Sequence, residues 1–72
     1  MVTLYNLPAR QREVLHFIVR NIEDKQESPT VREIAMGLDM ADQQVSTLLK
    51  ALEEKGRIKR DKYKHRSITI LE

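Results

Sequence analysis

Thr30 to Arg66, TVREIAMGLDMADQQVSTLLKALEEKGRIKRDKYKHR, decides how this chain folds. Thr30-Val31-Arg32-Glu33 has the form of a capping box, in which the Thr30 hydroxyl accepts from the Glu33 amide and the Glu33 carboxylate reaches back to the Thr30 amide. Val31, Ile34, Ala35 and Leu38 then fall at i, i+3, i+4 and i+7, the spacing of a short helix with one apolar stripe. Gly37-Leu38-Asp39-Met40 reads as a turn, Asp39 being one of the few types other than glycine that tolerate a left-handed backbone. Val45, Leu48, Leu49 and Leu52 repeat the helical spacing from about Asp42 to Lys55, and Gly56 suits the position just past a helix end. Ile58, and later Ile68 and Ile70, alternate with polar residues as half-buried strands do.

Upstream, Pro8 suits the first turn of a helix, where its missing N–H costs nothing. Val14, Leu15, Ile18 and Ile22 share a face that Phe17 and Val19 widen, so a first helix is expected from Pro8 to about Asp24 or Lys25. Lys25 to Pro29 reads as a polar connection. Residues 1–7 form an extension with some apolar character, expected to pack on the body of a domain over residues 8–72. The expected fold is mainly α with a small antiparallel β-hairpin: three helices plus a wing, a winged helix-turn-helix.

The 72 residues amount to one domain near the lower size limit for unaided folding. Without cysteine there is no disulfide framework or thiolate chemistry. No apolar run approaches a membrane span and no secretory leader is visible, so a cytoplasmic location is expected. His16 and His65 lack a clustered partner set, and His65 in the hairpin loop is placed for a pH-dependent phosphate contact. No serine has an adjacent base, and glycine is too sparse for a phosphate loop. Neither catalysis, a cofactor, a metal nor a small-molecule substrate is expected. Met36 and Met40 are expected to fill the core, and Tyr63 to pack at the wing tip.

The net charge of +2 conceals a division. Residues 55–66 hold seven Lys or Arg against Asp61 alone, while the rest of the chain has six Lys or Arg against ten Asp or Glu. Such a surface orients itself in the field of a polyanion. On the third helix the apolar stripe leaves Asp42, Gln43, Gln44, Ser46, Thr47 and Lys50 outward. Gln43, Gln44, Ser46 and Thr47 are base-reading candidates: Gln pairs with adenine through two hydrogen bonds, Ser and Thr serve several base edges, and the Thr methyl meets a thymine methyl. Backbone contacts are expected from Thr30 and Arg32 at the start of the second helix, from Lys50, and from Lys62, Lys64 and Arg66 on the wing.

Three segments carry a specific resemblance: Leu7-Pro8-Ala9-Arg10-Gln11-Arg12-Glu13-Val14-Leu15, Ser28-Pro29-Thr30-Val31-Arg32-Glu33-Ile34-Ala35, and Leu49-Lys50-Ala51-Leu52-Glu53-Glu54-Lys55-Gly56. In order and spacing they resemble the N-terminal domain of the LexA repressor family. The resemblance covers about residues 7–71 and implies a third helix that reads an operator half-site and a wing that touches the backbone. Arg66 matches the family's wing arginine. The turn from Leu38 to Val45 is one residue shorter than in typical members, and Gln43, Gln44, Ser46 and Thr47 are a different chemical set at the base-reading positions. The family's self-cleavage chemistry resides in a further domain and is not expected in this chain.

The expected partner is a double-stranded DNA operator, bound by a homodimer on a two-fold site, in transcription regulation as a repressor domain or a small phage or plasmid regulator. The alternative is a protein-interaction winged helix that modulates a host repressor or RNA polymerase without reading bases.

Overall fold

A computed structural model describes residues 7–61 and 66–71. Three helices, α1 (Ala9–Lys25), α2 (Val31–Leu38) and α3 (Asp42–Glu54), precede two short strands, β1 (Ile58–Lys59) and β2 (Thr69–Ile70). The strands pair antiparallel with Ile58 opposite Ile70 and Lys59 opposite Thr69. This is the expected mainly helical winged helix-turn-helix.

The apolar stripes meet in one core. Val14, Leu15 and Ile18 of α1, Ile34 and Ala35 of α2, and Val45, Leu49 and Leu52 of α3 are buried, and Ile58 and Ile68 close it from the hairpin. Leu7, the end of the apolar extension, is buried with them. Residues 1–6 lie outside the described residues.

Local chemistry sets each boundary. The Glu33 amide donates to the Thr30 hydroxyl at 3.1 Å and the Thr30 amide to the Glu33 carboxylate at 3.0 Å, completing the capping box. After α2, Asp39 takes the left-handed conformation at φ 56°, and the Met40 amide returns to the Ala35 carbonyl at 2.8 Å. After α3, Gly56 stands at φ +73°. There the Gly56 amide bonds the Glu53 carbonyl at 2.9 Å and the Arg57 amide the Leu52 carbonyl at 3.0 Å, a Schellman ending that turns the chain into β1.

Three details correct the sequence expectations. Pro8 is the N-cap, with extended ψ of 153°, rather than a residue of the first turn. Met36 does not fill the core: it is 75% exposed, on the outer side of α2. The α1–α2 connection is polar only in part, since Ser28 and Pro29 are buried. Asn21, also buried, holds that connection by donating from Nδ2 to the Glu27 carbonyl at 2.9 Å. Gly37 is needed for the approach of α1 to α2, because a Cβ there would run into the ring of Phe17.

Candidate nucleic-acid interface

Successive residues of a helix are about 100° apart. With Val45, Leu49 and Leu52 turned into the core, Gln43, Thr47 and Lys50 point most directly outward, and all three are exposed. Gln44, also exposed, lies on one flank, the side on which Lys55 Nζ bonds Gln11 Oε1 of α1 at 2.7 Å. Ser46, half-buried, lies on the other flank with Asp42 and Glu53, facing α2 and the hairpin. The base-reading candidates therefore share the first half of α3 but span its outer arc, with Gln44 and Ser46 on opposite edges.

The Thr47 hydroxyl donates to the Gln43 carbonyl at 3.0 Å. Its proton is spent within the helix, so Thr47 offers a partner its methyl group and a lone pair. No side chain caps α3, whose N-cap is Ala41. Its first amides are left for other acceptors.

Asp42 is not a cap. It begins α3 and pairs across to Arg32 of α2 at 3.4 Å, with both side chains well exposed. A pair of this kind is worth at most about 1 kcal/mol and opens readily. At the start of α2 the capping box consumes the Thr30 and Glu33 amides, which leaves those of Val31 and Arg32.

Between α2, α3 and the hairpin base lies a cleft of about 560 Å3 bordered by Thr30, Arg32, Glu53, Arg60 and Arg66. Arg66 does not project as an unengaged cation. Its guanidinium grips both Glu33 carboxylate oxygens at 2.8 and 2.9 Å and reaches the Ser28 carbonyl at 3.1 Å. Arg60 places Nε and Nη2 on one Glu53 oxygen, Oε1, at 2.9 and 2.8 Å. Local sequence rules could not find the Arg66 contact, since 33 residues separate it from Glu33. Lys62, Lys64, Tyr63 and His65 lie outside the described residues.

The Arg66 hydrogen bonds, aided by the Thr30 amide, hold the Glu33 carboxyl down at about 2 from its ordinary 4.5. The same bonds raise the Arg66 guanidinium further. A depressed carboxyl stabilises the fold fully above its unfolded pKa and ceases to as pH falls through the folded one. Wild type is therefore expected to lose stability relative to Glu33→Gln as pH falls from about 4.5 to about 2. Urea unfolding of both proteins across that range checks this; a constant difference would contradict it. The pair is partly exposed, so added salt should shrink the effect.

His16 is exposed on α1. Among the described residues no group of three or more His, Cys, Asp or Glu is placed to hold a metal. None of their helices is long and apolar enough to cross a membrane.

The profile described as the LexA DNA binding domain matches residues 5–67. The chain is 49% identical over 63 residues to the LexA repressor of Anaeromyxobacter sp. (strain Fw109-5), covering 86% of this chain and 27% of that protein. It is 43% identical over 67 residues to the LexA repressor of Desulforamulus reducens, covering 90% and 31% respectively. With the LexA repressor of Bacillus mycoides (strain KBAB4) it shares 42% over 66 residues, covering 90% and 32%. The chain thus spans about a third or less of the length of these relatives.

Proposed function

This chain belongs to the LexA DNA-binding domain family, and from that premise we propose that it is a sequence-specific binder of double-stranded DNA acting in transcriptional repression. The observation that carries the reading is the outer arc of α3. Gln43, Gln44, Thr47 and Lys50 stand clear of the core, on a helix whose Asp42 and Glu53 meet α2 and the hairpin. A helix so presented fits the major groove, which is wide enough to admit it, while its flanking elements meet the phosphates.

In this reading Gln43, Gln44, Ser46 and Thr47 face base edges, and Lys50 meets a phosphate or a guanine. Arg32 leaves Asp42 for a phosphate, an exchange that the weakness of their exposed pair makes inexpensive. The remaining amides of the α2 N-terminus support the same phosphate. Lys62 and Lys64 supply further backbone contacts. One domain covers a half-site of a few base pairs, so two subunits on a two-fold operator give the working affinity. The role is binding rather than catalysis, in the cytoplasm, with no cofactor or small-molecule substrate.

Counterion release makes such binding salt-dependent. Three to five neutralised phosphates per domain imply a fall of roughly two orders of magnitude in affinity between 50 and 200 mM salt. Fluorescence anisotropy with a labelled duplex tests this; an affinity indifferent to salt would sink the reading. The competing role, a module that binds a host repressor or RNA polymerase, draws on the carboxylates that sit on Arg32, Arg60 and Arg66 and lower the positive field. Retention of such a partner with no mobility shift on any duplex would favour it.

A further inference from the structure

Both arms of the hairpin are tied to the helical body by an arginine on the loop side of the paired strands. On the outgoing arm Arg60, next after β1, sets its Nε and Nη2 on Glu53 Oε1 of α3 at 2.9 and 2.8 Å. On the return arm Arg66 grips Glu33 of α2 with two prongs. Glu27 adds a third oxygen to Arg66 at 3.4 Å. Between the two arms the Ser67 hydroxyl accepts from the Asp61 amide at 3.1 Å and donates to the Asp61 carbonyl at 2.9 Å. The Ile68 amide, two residues after Arg66, donates to the buried Ser28 hydroxyl at 3.0 Å.

An arginine that serves a DNA phosphate must have donors to give. Three of the five guanidinium N–H donors of Arg66 already serve Glu33 and the Ser28 carbonyl, and the Glu27 carboxylate lies 3.4 Å from Nη1. Moving them to a phosphate would leave Glu27 and Glu33 uncompensated beside a polyanion. The backbone of Arg66 also stands at φ +50°, a conformation unfavourable for a residue with a side chain, which its contacts hold in place. The whole arrangement fastens the hairpin to α2 and α3 rather than presenting a charge.

We propose that Arg66 and Arg60 are positioning residues, and that with Glu33 and Glu53 they set the angle between the hairpin and the reading helix. The inference rests on the DNA-binding reading and reassigns Arg66 within it. It has a consequence opposite in sign to simple electrostatics. Removing an acid from a surface that meets DNA ordinarily tightens binding. Here Glu33→Gln and Glu53→Gln each weaken binding to a preferred duplex by about ten-fold, the size of one lost charge-assisted hydrogen bond. Glu33→Gln keeps an oxygen for the Thr30 amide, so α2 remains capped. Glu53 enters the α3 cap only through its backbone carbonyl, so changing its side chain tests the outgoing arm independently. Arg66→Lys separates the roles further: a phosphate ligand keeps its charge, whereas a forked tether does not survive the change.

The test is anisotropy titration of wild type, Glu33→Gln, Glu53→Gln and Arg66→Lys on one preferred duplex, each confirmed folded by circular dichroism at the assay temperature. All three variants are expected to bind more weakly than wild type at every salt concentration. Tighter or unchanged binding by both acid variants, or wild-type affinity for Arg66→Lys, would overturn the proposal. A wild-type protein that prefers no duplex would instead defeat the DNA reading itself, and is seen before any variant is made.

Discussion

Replacing Leu49 with alanine is expected to destabilise the domain by about 2–5 kcal/mol, the usual range for a leucine truncated in a closed core. Leu49 is wholly buried at the centre of α3, where stripes from all three helices converge. A chain of 72 residues has about 4–11 kcal/mol of total stability at the usual value per residue. The loss is therefore a large fraction of the whole, equivalent to a fall in melting temperature on the order of 15 °C. Thermal and urea unfolding followed by circular dichroism provide the measurement. A change below about 1 kcal/mol would place Leu49 outside the core. DNA affinity at room temperature should fall only as far as the folded fraction does, since no base contact is assigned to Leu49.

The second large effect is on recognition. Changing Gln43 and Gln44 together to alanine removes two side chains able to pair with a base edge, each worth about 1–3 kcal/mol of discrimination. Affinity for the preferred duplex should drop by at least about thirty-fold. Affinity for unrelated duplexes should change little, because no charge is removed. Gln43, which points directly outward, should account for more of the loss than Gln44 on the flank. The fold should be preserved, as both positions are exposed and alanine favours helix. This pattern is the converse of the Leu49 result. One face of α3 holds the domain together and the opposite face is the one proposed to address the ligand, so stability and specificity are expected to be separable on the same helix.

Much of this was legible in the residues because the rules involved are local. The Thr30–Glu33 box, the left-handed Asp39 and Gly56, and the three apolar stripes each depend on neighbours within a turn or two, and each formed as read. Met36 was misjudged because size and hydrophobicity say nothing of direction. It stands next after Ala35, so the turn of α2 that buries Ile34 and Ala35 carries it outward. Pro8 suits more than one position at a helix start, and only the assembled backbone made it the N-cap. The fork of Arg66 on Glu33, and the Ser28 hydroxyl beneath Ile68, join segments more than thirty residues apart. A charge count sees the basic hairpin but not the acids that meet it. Buried Ser28 showed the same limit, since a polar residue in a connection ordinarily signals solvent.

The outward arc of α3 as the reader of base edges is the point on which the account turns. Selection of bound duplexes from a random pool, run in parallel with wild type and with the Gln43→Ala/Gln44→Ala protein, tests it most directly. Wild type should enrich a short motif, repeated with two-fold symmetry where two subunits bind, and the variant should lose preference at particular positions of that motif while still retaining DNA. Enrichment of the same motif by both proteins, or of none by wild type, would contradict it.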